Sequence, residues 1–141
     1  MIYWEWCRLF AGANRLGEGS LATSVRVLLV DDYEPFRRLI VSRLQEQPEL
    51  LVIAEASDGF EAVLKAKELQ PDLILLDIGL PKLNGIEAAR QIREVSPASK
   101  ILLVSECRSS DIAKAALNTG GGGYVVKSRG YDGQRFLSAI R

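Results

Sequence analysis

Five short apolar runs constrain any fold of this chain more than its other features do. They are Val25–Val30 (VRVLLV), Leu51–Ala56 (LVIAEA), Leu73–Leu76 (LILL), Ile101–Val104 (ILLV) and Tyr124–Val126 (YVV). A strand with one wet face alternates apolar and polar residues, whereas a strand covered on both faces reads as a near-continuous apolar run. Segments of helical period lie between the runs. Phe36, Leu39, Ile40, Arg43 and Leu44 keep one face largely apolar, and Pro48 closes that segment. Asp58 is the expected N-cap of a helix over Gly59–Leu69, with Val63, Ala66 and Leu69 inward and Pro71 beyond. Asn84 caps a helix over Gly85–Val95, with Ile86, Ala89, Ile92 and Val95 on one stripe and Pro97 beyond. Ser109 or Ser110 caps Asp111–Asn118, which ends at Gly120. The strict alternation predicts an α/β fold, a doubly wound five-stranded parallel sheet with helices on both faces.

Composition narrows the chemistry. The 141 residues fit a single domain. Eighteen basic residues balance eighteen acidic ones. This argues against nucleic-acid binding by bulk charge and against a polybasic membrane anchor. There is no histidine, which removes imidazole acid–base catalysis, histidine-activated nucleophiles and most zinc sites. Cys7 and Cys107 do not make a disulfide framework, so a reducing, cytoplasmic setting is the simpler expectation. No apolar run approaches the ~20 residues needed to span a bilayer. The apolar N-terminus lacks a preceding basic region, so it is not read as a signal peptide.

The chemistry-bearing residues sit at strand ends. The first run ends in Asp31-Asp32, the third in Asp77, the fourth in Ser105 and the fifth in Lys127. In open parallel sheets ligands bind beyond the carboxyl ends of the strands. Two carboxylates ~5 Å apart at an effective dielectric of ~20 repel by roughly 3 kcal/mol, so three need a cation among them. Lys127 and a divalent metal are the candidates, and an all-oxygen donor set suits Mg²⁺. An ammonium and a metal around a carboxylate form a receptacle for a phosphoryl group, with Asp77 as in-line nucleophile. Taken singly, these residues have plainer readings. Asp31-Asp32 can be a solvated turn capping the next helix through Asp32 or Glu34, Asp77 a loop cap, Ser105 a turn residue, Lys127 a surface lysine and Tyr124 a strand aromatic. The glycine run 120–123 follows a helix and opens a strand, the reverse of a phosphate-binding loop.

VLLVDD (27–32), LILLDIGLPKLNGIEAARQIR (73–93), ILLVS (101–105) and GYVVKS (123–128) resemble the receiver domain of bacterial two-component response regulators. This is the CheY-like, flavodoxin-like fold, and GYVVKS is most similar to the NarL/FixJ branch. The resemblance implies that Asp77 is the phosphoacceptor. It implies that Asp31, Asp32, Asp77 and the carbonyl of Gly79 hold Mg²⁺, that Lys127 pairs with the phosphoryl group and that Ser105 donates a hydroxyl to it. Tyr124 would change rotamer as Ser105 moves, and Pro81 and Gly85 would shape the loop after Asp77. The donor would be a sensor histidine kinase or phosphotransfer protein. The domain would be a signalling phosphoacceptor rather than a turnover enzyme.

Three expectations concern departures and alternatives. Residues 1–24 are read as an N-terminal extension and 25–141 as the receiver, with a shortened or missing C-terminal helix. A helix over about Tyr3–Asn14 would fill that helix's place, within the chain or swapped in a homodimer. No direct nucleic-acid or membrane contact is expected from this chain. The alternative function is a protein-interaction module of the same fold that no longer uses phosphate. A phosphatase with a first-strand aspartate nucleophile wants a second Asp two residues on, where Tyr33 stands.

Overall fold

The computed structural model describes residues 24–105, 114, 115, 118 and 123–126. The strands are β1 (Val25–Val30), β2 (Leu50–Ala56), β3 (Leu73–Asp77), β4 (Lys100–Ser105) and β5 (Gly123–Val126). The helices are α1 (Glu34–Leu44), α2 (Gly59–Leu69) and α3 (Gly85–Val95). Four strands exceed their predicted bounds by one or two residues, because flanking polar residues such as Lys100 and Asp77 still pair in the sheet. Of the predicted helix over Asp111–Asn118, Lys114 and Ala115 are helical and Asn118 N–H donates to Lys114 O. The expected N-terminal helix and the expected loss of a C-terminal helix fall outside the described residues.

The strands lie in the order β2-β1-β3-β4-β5, and every neighbouring pair is parallel. The two faces of the sheet divide the apolar runs by parity. Val25, Val27, Leu29, Leu73, Leu75, Leu102 and Val104 join Phe36, Ile40 and Leu44 of α1 in one core. Leu28, Val30, Ile74, Leu76, Ile101 and Leu103 join the helices α2 and α3 in the other. Both faces are therefore filled, which is why the runs show no polar alternation.

The helix faces differ in detail from the periodicity. In α2 the buried positions are Gly59, Ala62 and Ala66, with Val63 and Leu69 half-buried. In α3 they are Gly85, Ala88, Ala89 and Ile92. The two helices pack through small residues, so the seam runs one position away from the bulkier stripe. At the opposite edge of the sheet from the strands' carboxyl ends, Gln70 takes a left-handed backbone (φ 47°) and ends α2. Its amide donates to Lys67 O and Val95 O, joining the C-termini of α2 and α3.

Two helix starts match their predicted caps. Asp58 accepts the Glu61 N–H at 2.9 Å, and Asn84 accepts the Glu87 N–H at 3.0 Å. The Glu61 side chain reaches back past the cap and accepts the Ser57 N–H at 2.7 Å. The Asp58 bond thus serves one N–H of the first turn, and the Glu61 bond ties that turn to the segment entering it. The Glu61 N–H, helped by the Lys82 ammonium, holds the Asp58 carboxyl below its ordinary 3.8. The Ser57 N–H, helped by Lys65, holds Glu61 below its ordinary 4.5.

Two predictions arise from this packing. A Cβ on Gly59 would overlap the Leu83 carbonyl, and one on Gly85 the Asp77 carbonyl, whereas one on Gly79 meets nothing within 4 Å among the described residues. Gly85→Ala should cost about 1–3 kcal/mol or more by urea unfolding, and Gly79→Ala should stay within ~0.5 kcal/mol. The second concerns acid. Both depressed carboxyls contribute stability that is complete above their ordinary values and is lost as pH falls through the lower folded ones. The double variant Asp58→Asn, Glu61→Gln should lose stability near neutral pH and unfold along a flatter curve below the ordinary 4.5 of Glu61, read by circular dichroism.

Candidate functional site

The sheet order creates the site. The chain leaves β1 toward β2 on one side and returns to β3 on the other, so the carboxyl ends of β1 and β3 flank a crevice. Val30 pairs with Leu76, which brings Asp31 abreast of Asp77. Asp77 in turn pairs with Val104, one residue short of Ser105. Ligand atoms of Asp31, Asp32 and Asp77 all lie within 4.8 Å of one another. Asp31 is 1% exposed and Asp77 7%, while Asp32 faces solvent.

The geometry favours a clustered acidic site over a solvated, helix-capping turn for the acid pair. Asp32 and Glu34 do not cap α1. The N-cap is Tyr33, and no side chain makes the capping bond. A buried carboxylate beside two others has no use as a solvated turn, and the three together supply hard oxygen donors of the kind Mg²⁺ takes.

Main-chain donors and a basic side chain position the acids. Asp31 Oδ1 accepts the Tyr33 N–H at 2.9 Å, and Asp77 Oδ1 accepts the Gly79 N–H at 3.2 Å. Asp31 N–H donates to Ala56 O of β2 at 3.1 Å. Arg37 of α1 donates through a terminal nitrogen to Asp31 O at 2.7 Å, and its Nε sits 3.1 Å from Glu55 Oε1. The loop after Asp77 is anchored inward by Ile78 and Leu80, 8% and 7% exposed. Gly85 N–H closes it by donating to Ile78 O at 2.8 Å. Its outer turn is clamped to α2: Leu83 O lies under Gly59, and Lys82 pairs with Asp58 at 3.5 Å. Lys82 holds a left-handed backbone there, φ 66°.

Of the residues expected from sequence, Asp31, Asp32, Asp77 and Gly79 come together. Ser105 ends β4, where it pairs with Val126, and Tyr124 lies in β5, opposite Leu103. Lys127 lies outside the described residues. Arg37, Glu55 and the Asp58–Lys82 pair were not anticipated. Arg37 serves a main-chain carbonyl, and such acceptors leave no mark in a sequence.

Comparison with known proteins agrees with this architecture. The family model described as the response regulator receiver domain matches residues 27–141. A transcriptional regulatory protein of Bacillus subtilis, LnrK, is 38% identical over 108 residues, covering 77% of this chain and 49% of that protein. The response regulator domain of Thermotoga maritima CheB superimposes with a TM-score of 0.75 at 35% identity, covering 83% of this chain and 88% of that one. The receiver domain of a NarL response regulator from Mycobacterium tuberculosis gives 0.74 at 30% identity, covering 84% and 94%. The chain spans about half the length of the curated relatives it matches. With its sheet order, its acidic crevice and these likenesses, the chain belongs to the response regulator receiver domain family of two-component systems, with NarL/FixJ-type regulators among its relatives.

Proposed function

We propose that this chain is a phosphorylation-dependent switch that accepts a phosphoryl group on Asp77. The observation that carries the reading is the meeting of Asp31, Asp32 and Asp77, with ligand atoms inside 4.8 Å, at the β1/β3 crevice. The donor is a phosphohistidine on a sensor histidine kinase or phosphotransfer protein. The chain has no histidine, so it can take such a group but cannot present one. We place the receiver at 25–141, preceded by an extension over 1–24, and expect it in the bacterial cytoplasm, where such kinases present their phosphohistidine.

Each residue has a task. Asp31, Asp32, the Asp77 carboxylate and the Gly79 carbonyl would hold Mg²⁺. When bound, the ion supplies charge neutralisation to the phosphoryl oxygens. An Asp77 carboxylate oxygen attacks phosphorus in line. The P–N bond breaks, its electron pair goes to the departing imidazole, which picks up a proton, and an acyl phosphate forms on Asp77. The Lys127 ammonium and the Ser105 hydroxyl hold the equatorial oxygens. Drawing Ser105 toward the phosphoryl group frees the space that Tyr124 turns into. Phosphorylation then shifts the balance between two existing conformations. Gly79 brings no side chain to the loop after Asp77, and among the described residues a Cβ there would meet nothing within 4 Å.

Intact mass after incubation with Mg²⁺ and acetyl phosphate tests the reading. A gain of one phosphoryl group, absent from Asp77→Asn, is expected. Lys127→Ala and Ser105→Ala should slow its appearance on the order of a hundredfold. No gain with this donor or with a phosphorylated kinase would favour a phosphate-independent interaction module. A second outcome concerns the charge balance of the acid cluster. Removing one exposed charge through Asp32→Asn should stabilise the metal-free protein by about 1 kcal/mol, from screened repulsion over ~5 Å. The same change should abolish the rise in melting temperature that Mg²⁺ gives the unaltered protein.

A further inference from the structure

Arg37 occupies an unusual position beside the acid pair. It stands one turn into α1 and reaches back across the start of its own helix to the carbonyl of Asp31, 2.7 Å away. Its side chain is only 17% exposed. The chain passes from β1 into α1 through Asp31–Tyr33, and α1 lacks the side-chain cap that α2 and α3 both have. The Arg37 bond to Asp31 O holds this turn from the helix side. The Asp31 N–H to Ala56 O bond holds it from the strand side, and the Tyr33 N–H to Asp31 Oδ1 bond orients the carboxylate between them.

Charge explains the second partner. A lone guanidinium beside a cation site would oppose the cation. Glu55 of β2 faces Arg37 Nε at 3.1 Å and offsets that charge. Glu55 is itself fixed, because the Lys65 ammonium donates to its main-chain carbonyl. Lys65 is held in turn by Glu61 at 3.2 Å. The chain of contacts thus runs from the Asp31 carbonyl across the edge strand to α2.

We propose that Arg37 is a positioning residue of the cation site: its bond to the Asp31 carbonyl, with Glu55 as counter-ion, fixes the turn that presents the Asp31 and Asp32 carboxylates. The inference rests on the reading of those acids as metal ligands. A guanidinium suits the task because its fork serves a carbonyl and a carboxylate at once, which an ammonium on a single stem does less well. Groups that orient metal ligands without touching the metal typically change affinity by about 10–100-fold when removed. An ordinary helix-to-strand ion pair would instead change stability and leave cation affinity alone.

Mn²⁺ binding, read from the free-ion electron paramagnetic resonance signal with no phosphodonor present, separates the two. Arg37→Ala should weaken Mn²⁺ binding about tenfold or more, at a temperature where circular dichroism shows the variant folded. Arg37→Lys should recover part of the loss. Glu55→Gln should weaken binding by less than Arg37→Ala, since it keeps the carbonyl bond and leaves the guanidinium charge uncompensated. Affinity in Arg37→Ala equal to that of the unaltered protein overturns the proposal. Should that variant not fold, unaltered affinity in Arg37→Met, which keeps the apolar stem and loses every donor, overturns it. If the unaltered protein itself binds no Mn²⁺ at millimolar concentration, the metal-site reading fails, and the positioning role fails with it.

Discussion

Mutual repulsion among three carboxylates is the constraint around which the C-terminal edge of this sheet is organised. Ligand atoms of Asp31, Asp32 and Asp77 are held within 4.8 Å, and two of the three side chains are buried. Left to itself, such a cluster of like charges would spread apart. The fold prevents spreading by placing the acids on neighbouring strands whose parallel register is fixed by the apolar pairs beneath them, Leu29 with Leu75 and Val30 with Leu76. Slipping that register by one residue would turn Leu28 and Leu29 to opposite faces and exchange two filled cores. The hydrophobic layers therefore supply the force that holds the charges together.

Main-chain contacts around the cluster orient its members. The Tyr33 and Gly79 N–H groups each fix one carboxylate oxygen, of Asp31 and of Asp77. The loop carrying Gly79 is set by contact with backbone. Gly85 abuts the Asp77 carbonyl, Gly59 abuts the Leu83 carbonyl, and the left-handed Lys82 is tied to Asp58. These contacts link the loop after Asp77 directly to the start of α2. Lys82, a non-glycine residue at positive φ, is strained backbone maintained by its surroundings, Asp58 among them.

Much of this was legible in the sequence, for identifiable reasons. Continuous runs such as LILL at 73–76 imply two covered faces, and a two-layer coat around a parallel sheet puts strand-end residues on one edge. The caps Asp58 and Asn84 were legible because capping depends on residue type and spacing alone. The receiver likeness carried the assignment of Asp31, Asp32 and Asp77 beyond what spacing could. On α2 the expected Ala66 is buried and Val63 packs against the core, while Gly59 and Ala62 are buried besides, because close helix packing rewards small residues that a hydrophobicity count undervalues. Arg37 was illegible for a deeper reason. Its partner is a main-chain oxygen, and its charge is offset by Glu55, eighteen residues away on the edge strand.

The distribution of exposure across the cluster bears on how it works. Asp31 and Asp77 are buried and held by main-chain donors, so their oxygens are preorganised and cost little to order when a ligand arrives. Asp32 is exposed and carries no comparable hydrogen bond among the described residues. Two buried acids beside one exposed acid suit a hard cation that keeps some of its waters. Among the described residues, Asp32 is the exposed member of the cluster, and a Cβ on Gly79 would meet nothing within 4 Å. Burying the third acid would tighten the cluster, yet it would raise the repulsion and close the approach to Asp77.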